Sequence, residues 1–319
     1  MSQPTSSPMT RLTAADRSQL QRANASGLQP VVFAHGLWLL AGSWQHWAEA
    51  FEEAGYIALT PGWPGEPDTV AEANARPETM AHQTLGQVAE HHAALIGLLQ
   101  RKPVLVGHSF GGLLVQMLAG RGLSAATVAI APAPFRGVLP LPLSALKSAW
   151  PVLGNPANRR KAVALNAEQF RFAFANAVGE SEALDLHARF AVPAPGGPLF
   201  QAAIANINPW SEAQVDTANA ARGPLLVLGG GRDHTIPPAI FNAAYRLQQD
   251  NPGLTELVAM PDRGHSLTLD GGWRETCDIA LDFVRRFAPA DMMEAAYLAE
   301  DADRREEGAV SQLSLDDAF

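Results

Sequence analysis

A serine flanked by glycines is the feature of this chain with the clearest chemical meaning. The segment 104–112 is Val-Leu-Val-Gly-His-Ser-Phe-Gly-Gly, and a largely apolar stretch follows at 113–118. A strand that turns at once into a helix leaves no room for side chains at Gly107 and Gly111, and such a turn pushes the serine hydroxyl into a cleft. The pattern therefore predicts that Ser109 is a nucleophile.

A serine hydroxyl is a weak nucleophile that needs a base, and the base needs a carboxylate to orient it. His265 follows the last apolar run of the chain, and Asp233 follows the run before it. The segment 129–134, where the acid could also stand, contains no carboxylate, which favours Asp233. Asp262 is the competing carboxylate, but its position three residues before His265 favours a role in capping the loop.

Attack on a carbonyl also requires hydrogen-bond donors for the oxyanion that forms. The first apolar run ends in His-Gly-Leu-Trp at 35–38, and we expect the amide of Leu37 to point into the cleft together with the amide of Phe110. Three further residues near predicted strand ends are candidates for substrate binding: Trp38, His35 and Trp63. Core packing is the alternative for the tryptophans, and organisation of the oxyanion loop is the alternative for His35.

Short apolar runs alternate with helical patterns along most of the chain, which is typical of a parallel sheet with helices on both faces. The predicted strands are 30–34, 56–60, 104–108, 127–130, 224–228 and 255–259, and helices are predicted over 85–99 and 273–287. Ser109, Asp233 and His265 each follow one of these strands. We therefore expect all three at the carboxyl ends of the sheet, where ligands bind in folds of this kind.

The segment 135–222 breaks this alternation. It is rich in proline and alanine, and its phenylalanines lie in helix-like stretches. We expect a helical cap that lies over the strand ends and roofs the site. A simple extension of the core layer is the alternative. With 135–222 as a cap, the core of the fold would comprise 29–134 and 223–288.

Composition and the two ends of the chain set further limits. Residues 1–28 are polar and lack a signal-peptide pattern, so we expect a flexible segment on a cytoplasmic protein. Of the net charge of −9, −7 lies in an acidic tail over 289–319, which leaves no basic patch for nucleic acid. No apolar run is long enough to span a membrane. The single cysteine excludes an internal disulfide and agrees with a reducing compartment.

Four motifs together resemble the α/β-hydrolase superfamily, in its serine hydrolase branch with an inserted helical cap. They are His-Gly-Leu-Trp at 35–38, Gly-His-Ser-Phe-Gly-Gly at 107–112, Gly-Arg-Asp-His-Thr-Ile-Pro at 231–237 and Asp-Arg-Gly-His-Ser at 262–266. The order serine, aspartate, histidine is also that of the superfamily. The resemblance implies an α/β-hydrolase fold with a mostly parallel central sheet flanked by helices. The segment 60–65 departs from the superfamily's usual loop after the second strand.

The resemblance implies a serine nucleophile but does not identify a substrate. Our first hypothesis is a serine hydrolase that cleaves a carboxylic ester or lactone through an acyl-enzyme, and the aromatic, weakly charged segment 135–222 favours a small to medium, largely apolar substrate. Ser109, Asp233 and His265 would be the catalytic residues, with no cofactor, no metal and only a small-molecule substrate as partner. Two alternatives stay open. One is a cofactor-free lyase or oxygenase that uses His265 as a base toward a carbon acid, and the other is a ligand receptor without catalytic activity.

Overall fold

The computed structural model describes residues 12–290, and a six-stranded parallel sheet lies at its centre. The strands are β1 (Pro30–Ala34), β2 (Ile57–Leu59), β3 (Val104–His108), β4 (Ala126–Ile130), β5 (Ala162–Val163), β6 (Ala194–Pro195), β7 (Leu225–Gly230) and β8 (Thr255–Met260). The central sheet has the order β2-β1-β3-β4-β7-β8, while β5 and β6 form a separate antiparallel pair.

Helices flank the sheet and connect its parallel strands. They are α1 (Ala14–Ser26), α2 (Gln45–Glu53), α3 (Val70–Ala75), α4 (Leu85–Ile96), α5 (Phe110–Gly120), α6 (Leu143–Leu153), α7 (Ala167–Ala173), α8 (Glu180–Phe190), α9 (Gly196–Ala203), α10 (Pro238–Gln248) and α11 (Trp273–Phe287). The predicted α/β-hydrolase fold, with a mostly parallel sheet between helices, is confirmed. No helix within residues 12–290 is both long and apolar enough to cross a membrane.

The four inner strands β1, β3, β4 and β7 are buried along their whole length. A parallel sheet covered on both faces requires this, which is why these strands are continuous aliphatic runs rather than alternating ones. Small residues mark the place where the chain leaves the sheet toward α5. Gly107 pairs with Ala34 on one side and with Ala129 on the other, so the first turn of α5 can approach the strand ends closely.

The prediction that residues 1–28 are flexible is wrong for the part of this segment that the structure describes. Residues 14–26 form α1, and Thr13 caps it in a reciprocal pair of hydrogen bonds with Asp16. Leu20 and Ala23 of α1 are buried in the main core. A Thr-x-x-Asp capping box stands in the sequence at this point, so the signal for a helix was available.

The segment between β4 and β7 contains α6 to α9 and the short β5–β6 pair, so its regular secondary structure is mainly helical, with long connections between the helices. Two of its buried side chains, Phe170 and Phe174, stack with their ring centroids 4.9 Å apart and belong to the main core. The acidic tail predicted over 289–319 lies, from residue 291 onward, outside the described residues.

Burial of His92 on α4 makes the stability of the fold sensitive to acid. Its Nδ1 donates to the carbonyl of Val88 at 3.0 Å, and burial, followed by the neighbouring His91, lowers the pKa of His92 to about 3. In the unfolded chain, the imidazole of His92 binds a proton near pH 6.5. The stabilisation is therefore complete above pH 6.5 and is lost as the pH falls from 6.5 toward 3.

We expect the wild-type protein to lose about 2 kcal/mol more unfolding free energy between pH 7 and pH 5 than a His92→Leu variant loses. Urea denaturation at the two pH values measures this difference. A His46→Leu variant, altered at an exposed histidine, should keep the wild-type pH dependence. If His92→Leu also keeps the wild-type dependence, the burial of a neutral His92 is contradicted.

Candidate active site

Ser109 occupies a strained turn between β3 and α5. Its backbone has φ 57° and ψ −119°, a conformation that residues other than glycine rarely adopt. A side chain at Gly107 would collide with the backbone of Gly111, and one at Gly111 would collide with the carbonyl of Ala34. Both glycines are therefore required by close backbone approach, as the sequence predicted.

His265 lies between Ser109 and Asp233. Its Nε2 is 3.0 Å from Ser109 Oγ, and its Nδ1 is 2.6 Å from Asp233 Oδ2. All three residues are buried. Because a carboxylate can only accept hydrogen bonds, Nδ1 is the donor to Asp233, which leaves the lone pair of Nε2 facing the serine hydroxyl. The structure thus brings the three predicted residues together in one hydrogen-bonded chain.

The turn after β7 holds the Asp233 carboxylate in place. Oδ1 accepts hydrogen bonds from the amides of Thr235 at 2.7 Å and Ile236 at 2.8 Å, so Oδ2 is left for His265. The competing carboxylate, Asp262, is exposed and pairs with Arg232 at 2.7 Å. The geometry therefore separates the two candidates, and only Asp233 contacts the histidine.

His108 and Phe174 hold the ring of His265 from two other sides. His108 Nε2 donates to the carbonyl oxygen of His265 at 2.9 Å, and the edge-to-face contact with Phe174 places the two ring centroids 4.8 Å apart. Burial, together with the nearby His265, lowers the pKa of His108 well below 6.5. His108 is consequently neutral at physiological pH and adds no positive charge beside His265.

The loop after β1 lies directly against Ser109. A Cβ atom on Gly36 would stand 2.7 Å from Ser109 Cβ and 3.3 Å from the amide nitrogen of Phe110. Phe110 is the first residue of α5, where an amide has no acceptor within the helix. Within residues 12–290, neither this amide nor that of Leu37 donates to another group. Both predicted oxyanion donors are thus uncommitted, one in the loop after β1 and the other at the start of α5, next to the serine.

His35 and Trp63, predicted to bind substrate, instead hold two loops together. His35 Nε2 lies 2.7 Å from Glu66 Oε2, its Nδ1 donates to the Gly36 carbonyl at 2.9 Å, and its ring stacks on Trp63. Neither residue lines the pocket above Ser109. The alternative role for His35, organisation of the oxyanion loop, fits these contacts.

Glu66 is the residue of this region that sequence reasoning missed. Its carboxylate is almost fully buried and also accepts from the amides of Ala41 at 2.7 Å and Trp63 at 3.0 Å. Burial, the largest single effect, would lower the pKa of His35, but the charge of Glu66 together with the hydrogen bonds to Glu66 and to the Gly36 carbonyl outweighs it, so that pKa is raised above 6.5. In the sequence, nothing distinguishes Glu66 from a surface acid in a turn.

We expect Glu66→Gln to lower the unfolding free energy by about 3 kcal/mol, because it breaks a buried charged pair. It should also reduce kcat more than it raises KM, since the loop that bears Leu37 loses its anchor. Chemical denaturation and steady-state kinetics measure the two effects. Glu49→Gln is the matched control, because Glu49 faces His46 at 3.7 Å in an exposed pair and should contribute less than about 0.5 kcal/mol.

An apolar pocket with a volume of about 170 Å³ opens above Ser109. Its walls come from the loop after β4, from α6, from α9 and from the start of α10. Trp38, the third predicted substrate-binding residue, lines it and is fixed by a hydrogen bond from its Nε1 to the Val163 carbonyl at 3.0 Å. The structure therefore supplies a binding space for an apolar group next to the serine.

Within residues 12–290, no group of three or more His, Cys, Asp or Glu side chains is arranged to hold a metal ion. Cys277 is buried, and burial raises the pKa of its thiol to about 12. A thiol in this state is unreactive, because the thiolate is the nucleophilic form. Ser109 therefore remains the candidate nucleophile of the described residues.

A model described as the alpha/beta hydrolase family matches residues 31–279. A pyrethroid hydrolase from Sphingobium faniae has a similar structure, with a TM-score of 0.57 and 16% identity over 82% of this chain and 98% of that one. A monoacylglycerol lipase from Paleococcus ferrophilus has a TM-score of 0.54 and 19% identity over 80% and 93%. An extracellular alpha/beta-hydrolase from a Paenibacillus species has a TM-score of 0.55 and 19% identity over 80% of this chain and 98% of that one. At these identities the likeness concerns the fold. No curated protein gave a significant match.

Proposed function

The chain belongs to the alpha/beta hydrolase family, and on that premise we propose that it is a serine hydrolase that cleaves a carboxylic ester or lactone of a small to medium, largely apolar substrate. The observation that carries the proposal is the hydrogen-bonded chain from Ser109 through His265 to Asp233 at the base of an apolar pocket. The similar structures named as a pyrethroid hydrolase and a lipase support hydrolysis as the reaction class.

In the first half of the reaction, Ser109 Oγ attacks the carbonyl carbon while His265 Nε2 takes the hydroxyl proton. Asp233 stabilises the imidazolium that results, through the hydrogen bond at Nδ1. The amides of Leu37 and Phe110 donate hydrogen bonds to the oxyanion that forms from the carbonyl oxygen, and they need to break no other hydrogen bond to do so. His265 then donates its proton to the leaving alkoxide oxygen, which leaves an acyl group on Ser109.

In the second half, water takes the place of the alcohol. His265 Nε2 removes a proton from the water as the water oxygen attacks the acyl carbon. The same two amides donate hydrogen bonds to the oxyanion that forms. The proton returns to Ser109 Oγ as the carboxylic acid leaves. The neutral state of His108 supports this cycle, because a second positive charge would oppose formation of the imidazolium.

Two measurements on the wild-type protein test this function. Stopped-flow hydrolysis of p-nitrophenyl esters should show a burst of p-nitrophenol close to one equivalent per chain wherever release of the acyl group is slow. A fluorophosphonate should add once, on the peptide that contains Ser109. A labelled residue other than Ser109, or a complete absence of both labelling and ester turnover, would reject the proposal and favour the carbon-acid or receptor alternatives.

A further inference from the structure

The polar side chains that line the apolar pocket are few, and nearly all are already hydrogen-bonded within the protein. They are Trp38, Ser109, Ser148, Asn206 and Thr235. Trp38 donates to a carbonyl of β5, and Ser109 contacts His265. Both hydrogen-bonding atoms of the Asn206 amide are used by the backbone of 137–138, and the Thr235 hydroxyl donates to Ala173.

Ser148 is the exception. Its side chain is only 4% exposed, and Oγ has no hydrogen-bond partner. A buried hydroxyl without a partner is unfavourable, and such groups in native proteins call for an explanation. The hydroxyl of a serine within a helix usually donates to the carbonyl oxygen four residues earlier, which here is that of Ser144. The structure shows no such bond.

The position of Ser148 on α6 points to a ligand. Ser148 is part of the wall of the pocket above Ser109, and it also lines a second, more polar pocket. Its neighbours along the first wall are apolar, among them Ala145, Ala149 and Leu153. A single hydroxyl in such a wall can both donate and accept one hydrogen bond.

We infer that Ser148 hydrogen-bonds one oxygen of the substrate at a distance from the scissile carbonyl. The substrate class that fits is an apolar ester or lactone bearing a second oxygen, as a keto, ether or hydroxyl group, on the part that occupies this pocket. This inference rests on the proposed ester hydrolysis at Ser109. Sites built around one committed polar group discriminate against analogues that lack it, because the group is then left unpaired.

The test uses p-nitrophenyl octanoate and its derivatives with an oxo group at each carbon from the fourth to the seventh. We expect the wild-type enzyme to prefer one oxo position over the plain ester by about fivefold in kcat/KM, as one net hydrogen bond implies. Ser148→Ala should abolish this preference, so that the variant hydrolyses the oxo esters and the plain ester with equal kcat/KM. Ser144→Ala, the same change one helical turn away and outside the pocket wall, should keep it.

Thermal unfolding distinguishes a ligand role from a structural one. Removal of a hydroxyl that has no partner should leave the Tm of Ser148→Ala equal to or above that of Ser144→Ala. A lower Tm would reveal a structural partner and overturn the inference. So would the absence of any preferred oxo position in the wild type, or a preference that survives in Ser148→Ala, while the plain ester is still hydrolysed.

If no ester is turned over, ester hydrolysis itself fails, and binding then decides the role of Ser148. Calorimetric titration with octanol and with its oxo derivatives should still show one oxo position bound about fivefold more tightly by the wild type than by Ser148→Ala. Equal affinities of the two proteins for every derivative would overturn the inference.

Discussion

Ser109→Ala and His265→Ala are each expected to lower kcat for ester hydrolysis on the order of 10⁶-fold, and the double variant should be no slower than either single one. The reason is that Ser109 and His265 act as a unit. Without the base 3.0 Å away, the hydroxyl is not activated, and without the hydroxyl, the base has no proton to take. Asp233→Asn should lower kcat by a smaller factor, about 10⁴, because it disturbs the orientation of His265 rather than removing a reacting group.

Steady-state kinetics, on protein shown free of contaminating esterase, measures these losses. Asp262→Asn is the matched control, since Asp262 is the carboxylate that competes with Asp233 in the sequence and its pair with Arg232 is exposed. It should change kcat by less than about twofold. Additive losses in the double variant, or substantial turnover in Ser109→Ala, would contradict an acyl-enzyme mechanism. The second outcome would favour a carbon-acid reaction at His265.

The fold and the positions of Ser109, Asp233 and His265 were predictable because their signals are local. Each residue lies within five residues of the end of a strand, and parallel strands bring their carboxyl ends to one edge of the sheet. The hydrogen bonds at 3.0 Å and 2.6 Å agree with the expected order of contacts. The assignment of Asp233 over Asp262 rested on strand position, and the structure places only Asp233 against the histidine.

The residues that were not predicted depend on contacts between distant segments. Glu66 looks like any acid in a turn until the fold places it 2.7 Å from His35. Ser148 looks like an ordinary helical serine until α6 is packed against α7 and α9 and its hydroxyl is buried without a partner. Pairing of this kind has no sequence pattern, because it depends on which side chains the connections bring together. The error at α1 has another cause, since its capping box was visible but was given less weight than a polar composition.

Gly111→Ala is expected to destabilise the fold by about 3 kcal/mol or more, although helix propensity alone favours alanine by about 1 kcal/mol. The added methyl group would collide with the carbonyl of Ala34, which is backbone and cannot rotate away. Ala34 pairs with Gly107 in the sheet, so a shift of β1 would disturb the pairing next to Ser109. The same shift would displace the loop that bears Leu37, and kcat should fall together with stability.

Alanine substitutions at two further glycines complete a graded series, and chemical denaturation measures the unfolding free energy of each variant. At Gly42 a methyl group would meet nothing within 4 Å, so Gly42→Ala should alter the unfolding free energy by less than about 0.5 kcal/mol. At Gly112 it would stand 2.9 Å from Pro132 Cα, which predicts an intermediate loss. If Gly111→Ala were as stable as Gly42→Ala and fully active, the close approach of β1 to the first turn of α5 would be wrong. The oxyanion site built on that approach would then have to be placed elsewhere.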